Sequence, residues 1–249
     1  QDLHQRTVET PLFNPVFQLA HDLSRELESG EITLDDFEAL IAECEVAALG
    51  ERAHRLQTMV SPIGDEANET ALEDTLETED FAAFRAQWER PQLHAVFTAH
   101  PTFLLTPDQS DAVAAAASGG PAITEDCVGG ERPQVTLPYE HQRAMRAIGH
   151  AQGARDAIVA QLLAHAQKHW PDEWHELVPL PFRFASWVGY DMDGRTDITW
   201  SNSIGFRLSE KAERLARYVA ALEEIDADHA LLAELRPAAD YAAERAQDF

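Results

Sequence analysis

Residues 93–102 read LHAVFTAHPT, a short apolar run that leads into a histidine followed by a proline. This pattern is typical of a buried strand, which we expect to cover Leu93 to Thr98 and to end at His100. A histidine at the carboxyl end of a strand projects into the loop layer, where barrel-type enzymes assemble their active sites. An imidazole titrates near pH ~6.5 when unperturbed, so His100 could act as a general base. The alternative is a histidine that only hydrogen-bonds a loop carbonyl.

A second informative stretch, PFRFASWVGYDMDGRT, occupies positions 181–196. Aromatic and small residues alternate from Phe182 to Val188, which predicts a strand, and a turn rich in glycine and aspartate follows. Asp191 and Asp193 in this turn could orient an arginine, bind a cation or cap the next helix, or could simply form the turn. An EF-hand is excluded, because the positions of its glycine and its final glutamate hold other residues.

Helical periodicity dominates the rest of the chain, so the expected fold class is mainly α, a helical scaffold with a few short strands. Caps and stop signals mark several of the helix ends, such as the N-cap Asn14. The predicted helices run from Pro15 to Gly30, from Thr33 to Gly50, through Phe81, Phe84 and Trp88, from Tyr139 to His169, and from Leu208 to Ile225.

For two of these helices we also predict caps, ion pairs or the inward face. In the last helix we expect Ser209 as the cap, with i,i+4 ion pairs of Glu210 with Arg214 and of Glu213 with Arg217. The residues predicted to face inward in the second helix are Leu34, Phe37, Ile41, Cys44 and Ala48.

Two segments lack this periodicity. Residues 65–80 contain eight acidic and no basic side chains, which predicts a solvated segment or linker. Residues 109–136 are rich in alanine, serine, glycine and proline and are expected to form an irregular connection.

Charge and composition limit the kind of partner. The 249 residues include 44 acidic and 19 basic side chains, a net charge of −25, so nucleic acid and anionic membrane surfaces would repel the chain. Apolar residues make up 45%, which is ordinary for a folded protein. We expect neither a nucleic-acid nor a membrane partner.

The cysteines and the ends of the sequence indicate a location. Cys44 and Cys127 are the only cysteines, and two free thiols are typical of a reducing compartment. We see neither a membrane span nor a signal peptide, so we expect a cytoplasmic protein. Because Gln1 is not an initiator methionine, we expect the sequence to be a piece of a longer chain.

Three histidines near the end of the long helix form a weaker candidate. His165 and His169 lie one helical turn apart and His175 follows, so an unrelated helical metal protein is a further hypothesis. No HExxH motif and no clear third ligand accompany them, and Walker, GxGxxG, GxSxG and paired CxxC motifs are missing as well.

The two motif stretches together resemble the phosphoenolpyruvate carboxylase family. Its members carry a TAHPT motif, here at residues 98–102, and downstream a segment of the form P-x-R-F-x-S-W-x-G-G-D-R-D-G-N-P, here at residues 181–196. The resemblance implies the N-terminal portion of an eight-stranded α/β barrel within one domain. Residues 1–90 would be helical scaffold, and residues 91–249 would supply the first barrel strands and helices.

The resemblance also implies a carbon-fixing lyase that converts phosphoenolpyruvate and bicarbonate into oxaloacetate and phosphate. His100 would be the catalytic base that takes the proton from carboxyphosphate. The full-length enzyme would use Mg²⁺ or Mn²⁺, with no metal ligand and no cofactor expected in this chain. The residues expected to bind substrate or shape the site are Thr98, Trp187, Gly189, Asp191, Asp193, Gly194 and Arg195.

Several positions depart from the family pattern. Phe103 stands where a glutamate is common, Tyr190 replaces a glycine, Met192 replaces an arginine, and Arg195-Thr196 replaces Asn-Pro. The metal-binding and phosphate-binding motifs of the later strands are missing too, so the isolated chain should be inactive and should need the C-terminal portion of the protein. Two barrel strands alone would leave unpaired edges, which predicts self-association. The alternative function is a catalytically inactive, acidic helical binding or regulatory module.

Overall fold

A computed structural model describes residues 14–59, 80–98, 105–129 and 132–249, with residues 5, 8, 70, 72, 73, 75 and 76. The chain groups into two compact units, residues 1–68 with 105–131 and residues 69–104 with 132–249. This grouping differs from the predicted boundary near residue 90, and the single-domain assignment stays a prediction. The described chain is mainly helical with two short strands, as the sequence predicts.

Three helices of the first unit have both ends within the described residues. They are α1 (Pro15–Ser29), α2 (Leu34–Met59) and α4 (Pro107–Ala117), followed by a short 3₁₀ helix at Glu125–Cys127. Helix α1 begins and ends as predicted, because Asn14 caps it and Gly30 ends it in a left-handed conformation.

Helix α2 differs from its prediction in its length and in its buried face. It continues through Gly50 to Met59, because a glycine inside a helix costs only about 1 kcal/mol relative to alanine and local packing offsets that cost. The packing is provided by Leu49 and Ala53, which are buried with Val113 of α4.

The face predicted to point inward in α2 is largely exposed. Helix α4 packs along a later part of α2, where Gln109 Nε2 donates to Glu45 Oε1 at 3.0 Å. Phe37 is half-buried, whereas the exposed members of the predicted face are Leu34, Ile41, Cys44 and Ala48.

Helix α4 corrects the prediction of an irregular connection over residues 109–136. Thr106 and Gln109 form a capping box, Pro107 occupies the first turn, and a run of alanines, the best helix formers, continues the helix. The described remainder of that segment, apart from the 3₁₀ turn, is irregular as predicted.

The second unit is built around the long helix α5 (Leu137–His169). Its other elements are α3 (Phe81–Trp88), β1 (Leu93–Phe97), a 3₁₀ turn at Trp174–Glu176, β2 (Phe182–Ser186), α6 (Trp200–Ile225) and α7 (Leu232–Ala246). The predicted face of α3 is confirmed, since its three aromatic side chains are buried against Leu162 and Ala166 of α5.

Leu76 joins the same core, which corrects the prediction that residues 65–80 form a solvated segment or linker. Leu72 packs against this core one helical turn earlier, so apolar side chains at i,i+4 spacing give the acidic segment a buried face. Most other residues of that segment lie outside the described residues.

Strands β1 and β2 form a parallel, in-register pair from Leu93 opposite Phe182 to Phe97 opposite Ser186. Both predicted strands are confirmed, each a little shorter than expected. The prediction that β1 is buried is wrong: Leu93 and Val96 are more than half exposed. A two-stranded sheet leaves one side of β1 without a partner strand in the described residues.

Helix α6 begins earlier than predicted. Thr199 caps it in a capping box with Asn202, and Ser209 lies inside the helix. Neither predicted i,i+4 ion pair forms in the described residues. Glu210 instead contacts His141, Tyr190 and Arg207, and Arg214 donates to Gln152 of α5.

Two further expectations have structural outcomes. Cys44 and Cys127 are free thiols, as predicted. Among the described residues, no helix combines the length and apolar character needed to cross a bilayer.

Candidate functional site

The carboxyl ends of β1 and β2 lie side by side, because the two strands are parallel and in register. The Ser186 hydroxyl joins these ends, since it donates to the Phe97 carbonyl oxygen at 2.8 Å and accepts the Val188 N–H at 3.1 Å. Thr98 follows β1 and residues 187–195 follow β2, so both segments begin at the same edge of the sheet. We call this edge the strand-end site.

The predicted catalytic residue, His100, lies outside the described residues, as does Phe103. Thr98 is described and is half-buried directly after β1. Trp187 begins the turn after β2 with 49% of its surface exposed. The structure thus brings Thr98 and Trp187 to one edge, while the role of His100 stays a prediction.

The turn after β2 depends on a glycine. The N–H groups of Tyr190 and Asp191 donate to the Trp187 carbonyl oxygen at 2.9 and 3.1 Å. Gly189 has a φ of +87°, and a Cβ there would lie 2.6 Å from Cδ2 of Phe206. Gly189 is therefore needed for its backbone conformation and for the close approach of an aromatic ring.

The two aspartates of the turn are exposed and have a local role. The Asp193 N–H donates to Asp191 Oδ1 at 3.1 Å, a short side-chain turn. Among the described residues neither aspartate pairs with an arginine, and the following helix is capped by Thr199. Of the alternatives that the sequence left open, the structure supports turn formation.

Arg195 connects the turn to α5. Its guanidinium donates to Asp197 at 2.7 Å and to Glu140 at 3.0 Å. These hydrogen bonds, first to Asp197 and then to Glu140, raise the pKa of Arg195 further above its already high value. Gly194, just before it, has a φ of +70° and open space around its Cα.

A partly buried polar network lies beside the strand-end site. Glu210 Oε1 on α6 accepts a hydrogen bond from the Tyr190 hydroxyl at 2.5 Å and lies 2.9 Å from Nε2 of His141 on α5. Arg207 donates to the other carboxylate oxygen at 3.2 Å. The His141 ring stacks on Phe206, with centroids 4.0 Å apart, so one phenyl ring supports both the network and Gly189.

The electrostatics of this network favour a charged carboxylate beside a neutral phenol. Burial raises the pKa of Glu210, but hydrogen bonds from His141 and Tyr190 outweigh burial and hold that pKa below its ordinary value. Burial and the bond to Glu210 raise the pKa of Tyr190. Tyr190 therefore keeps its proton near neutral pH and serves to hold the turn against α6, not to exchange protons.

Sequence reasoning missed this network. His141 and Glu210 are 69 residues apart and lie on different helices, so no local spacing relates them. In the sequence, Tyr190 is visible only as a departure from the pattern that the stretch resembles. Its hydrogen bond to Glu210 gives the side chain a structural role, because it holds the turn against α6.

The histidine cluster on α5 has a packing role. The rings of His165 and His169 stack with centroids 4.3 Å apart, and His165 also stacks on Phe84. Burial, with the nearby charges of His169 and Lys168, lowers the pKa of His165. In the part of the chain that the structure describes, no three His, Cys, Asp or Glu side chains are grouped to hold a metal ion.

Comparisons with known proteins add no relative, because no family model, curated protein or solved structure matches this chain.

We expect Gly189→Ala to destabilise the protein more than Gly194→Ala. Both substitutions place alanine in a left-handed conformation at a cost of about 1–2 kcal/mol. Only the first drives a Cβ into Phe206, which adds about 1–3 kcal/mol for overpacking. Urea unfolding of the two variants measures the difference, and equal losses would contradict the close approach.

We expect the Glu210 network to stabilise the fold above pH 4.5, the ordinary pKa of a glutamate. Because the folded-state pKa is lowered, this stabilisation is present above the unfolded-state pKa and is lost as the pH falls through the folded-state pKa. The difference in unfolding free energy between the parent chain and Glu210→Gln should therefore be constant near neutral pH and shrink under acidic conditions. Urea titrations across the acidic range measure it.

The matched control for that measurement is Glu213→Gln, on the same helix. Glu213 is exposed and has no hydrogen-bond or ion-pair partner among the described residues. The difference in unfolding free energy between the parent chain and Glu213→Gln should change little with pH. If the two variants give the same pH profile, Glu210 does not have a lowered pKa.

Proposed function

We propose that this chain is the N-terminal part of a phosphoenolpyruvate-carboxylase-like lyase. The observation that carries the proposal is the parallel, in-register pairing of β1 with β2, the two strands that lead into the motif stretches. The family resemblance requires these stretches to meet at the carboxyl ends of neighbouring barrel strands. A different pairing, or none, would have left the resemblance without a geometric basis.

Two further features support the barrel interpretation. Helix α5 contacts both strands and precedes β2 in the chain, as a helix of a β/α barrel does. Each strand has an unpaired outer side among the described residues, where further strands of a barrel would add.

The proposed reaction is the carboxylation of phosphoenolpyruvate. A bicarbonate oxygen attacks phosphorus, which gives carboxyphosphate and the enolate of pyruvate. His100 takes the carboxyphosphate proton as CO₂ and phosphate separate, and the enolate carbon then attacks CO₂ to form oxaloacetate. A neutral imidazole suits this step, because it becomes a stabilising cation beside a phosphate dianion.

The other motif residues would shape this site. Thr98 precedes the histidine, and Trp187 offers an exposed ring at the same edge. The remaining proposed members hold the turn in its conformation: Gly189, Asp191, Asp193, Gly194 and Arg195.

The full-length enzyme would use Mg²⁺ or Mn²⁺. The described residues do not fit such an ion, because no suitable group of three ligands comes together in them. The steps proposed for this chain therefore involve its own side chains alone.

The second candidate is a catalytically inactive, acidic helical module derived from the same family. The position of Tyr190 favours it, because the side chain that replaces the family's glycine makes a partly buried hydrogen bond with Glu210. Met192, in place of the family's arginine, is 56% exposed and offers no charge to a substrate.

We expect the protein encoded by the complete reading frame to form oxaloacetate from phosphoenolpyruvate and bicarbonate, and the 249-residue chain alone to form none. Oxidation of NADH through malate dehydrogenase measures the rate. His100→Asn in the complete protein should lower kcat by about 10²–10⁴-fold, the contribution of a general base.

The control for this assay is His150→Asn, a substitution of an exposed histidine on α5. It should leave the rate unchanged. A complete protein without carboxylase activity would support the binding module instead, and an active protein indifferent to His100→Asn would remove His100 from the mechanism.

A further inference from the structure

A cavity of about 590 Å³ opens in the second unit between α5, β2 and α6. Its volume lies within the range of roughly 300–1,000 Å³ that is usual for small-molecule sites. The cavity adjoins the strand-end site, because Ser186 and Tyr190 contribute to its wall, but most of that wall comes from the two helices.

One wall of the cavity is basic. It is formed by α6, which places four cations at i, i+4, i+7 and i+10 along one face of the helix: Arg207, Lys211, Arg214 and Arg217. Two carboxylates, Glu210 and Glu213, also line the cavity. Four positive charges against two negative ones give a locally positive surface in a chain whose net charge is −25.

Two of these cations already have hydrogen-bond partners. Arg207 donates to Glu210 at 3.2 Å, and Arg214 donates to Gln152 on α5. The other two, Lys211 and Arg217, have no hydrogen-bond or ion-pair partner among the described residues. Acidic side chains greatly outnumber basic ones in this chain, so two unpaired cations facing one cavity are available for an anion from solution.

The guanidinium of Arg217 lies close to α5. A Cβ at Gly149 would be 3.6 Å from Nη2 of Arg217, an ordinary van der Waals contact. Arg217 is exposed, so its donors are accessible to a ligand from solution.

The opposite wall carries apolar side chains. Met145 and Ile148 of α5 and Phe184 of β2 line it. A ligand that fills the cavity therefore needs a strongly anionic group at one end and an apolar body at the other.

We propose that this cavity binds a phosphate monoester with an apolar body, whose phosphate is held by Lys211 and Arg217. A monoester is close to a dianion at neutral pH and offers three acceptor oxygens, which suits a lysine ammonium beside a forked guanidinium. This inference does not rest on the proposed function, because the proposed phosphate ligands, Lys211 and Arg217, lie on α6 and His100 takes no part.

The composition of the chain permits a direct test. Lys211 lines the cavity and Lys168, the only other lysine, lies in the last turn of α5 away from it. Reductive ¹³C-dimethylation keeps the charge of both side chains and gives each its own NMR signal, assigned with Lys211→Gln and Lys168→Gln. Phenyl phosphate is titrated at constant ionic strength, with inorganic phosphate and phenol titrated separately.

We expect phenyl phosphate to shift the Lys211 signal in a saturable way and to leave the Lys168 signal in place. Inorganic phosphate, which lacks the apolar body, and phenol, which lacks the charge, should both bind more weakly. Lys211→Gln and Arg217→Gln should each weaken phenyl phosphate binding by about tenfold, as the loss of one charged hydrogen bond implies. Lys168→Gln should leave the affinity unchanged.

Neither Lys211 nor Arg217 supports the fold through a hydrogen bond or ion pair to a described residue, so these variants should remain folded, which circular dichroism checks. The proposal is overturned if both lysine signals move together, or if Lys211→Gln and Lys168→Gln bind phenyl phosphate equally well. It is also overturned if inorganic phosphate or phenol binds as tightly as phenyl phosphate.

Discussion

The parallel pairing of β1 with β2 is the constraint on which the functional interpretation depends. The Ser186 hydroxyl holds the carboxyl ends of the two strands together through the Phe97 carbonyl and the Val188 N–H. This contact fixes where the chain leaves each strand, so Thr98 and Trp187 begin at one edge of the sheet. A shift of one residue would turn every side chain of β2 to the opposite face and would separate the two motifs.

The sequence predicts best those elements whose signals are local. Each of these signals lies within a few neighbouring residues. Examples are the aromatic spacing of Phe81, Phe84 and Trp88, the cap at Asn14 and the two short apolar strands. Helix α4 was not predicted. Its run of alanines favours a helix but shows no alternation of apolar and polar residues, and its small residues are also common in loops.

The other differences between the predictions and the structure come from contacts between segments that are distant in the sequence. Helix α2 passes through Gly50 because Leu49 and Ala53 pack against Val113. Similarly, the partners of Glu210 are set by the packing of α6 against α5 and the turn after β2, and an i,i+4 rule cannot anticipate His141 as its neighbour. For the candidate site, local pattern predicts the turn, whereas its supporting network is a tertiary property.

The strand-end site and the cavity beside it share a physical arrangement. In each, α6 supplies charged side chains next to β2, through Glu210 at the partly buried network and through Lys211 and Arg217 at the cavity. The net negative charge of the chain repels anions at long range. An anion therefore binds only where its attraction to nearby cations exceeds this repulsion.

The most direct test of the account is the register of the two strands in solution. Nuclear Overhauser effects between backbone protons of β1 and β2 in the isotope-labelled 249-residue protein report that register. The account predicts contacts of parallel strands centred on Ala95 and Phe184. Contacts of antiparallel strands, a shifted register, or no contacts between the two segments would contradict it.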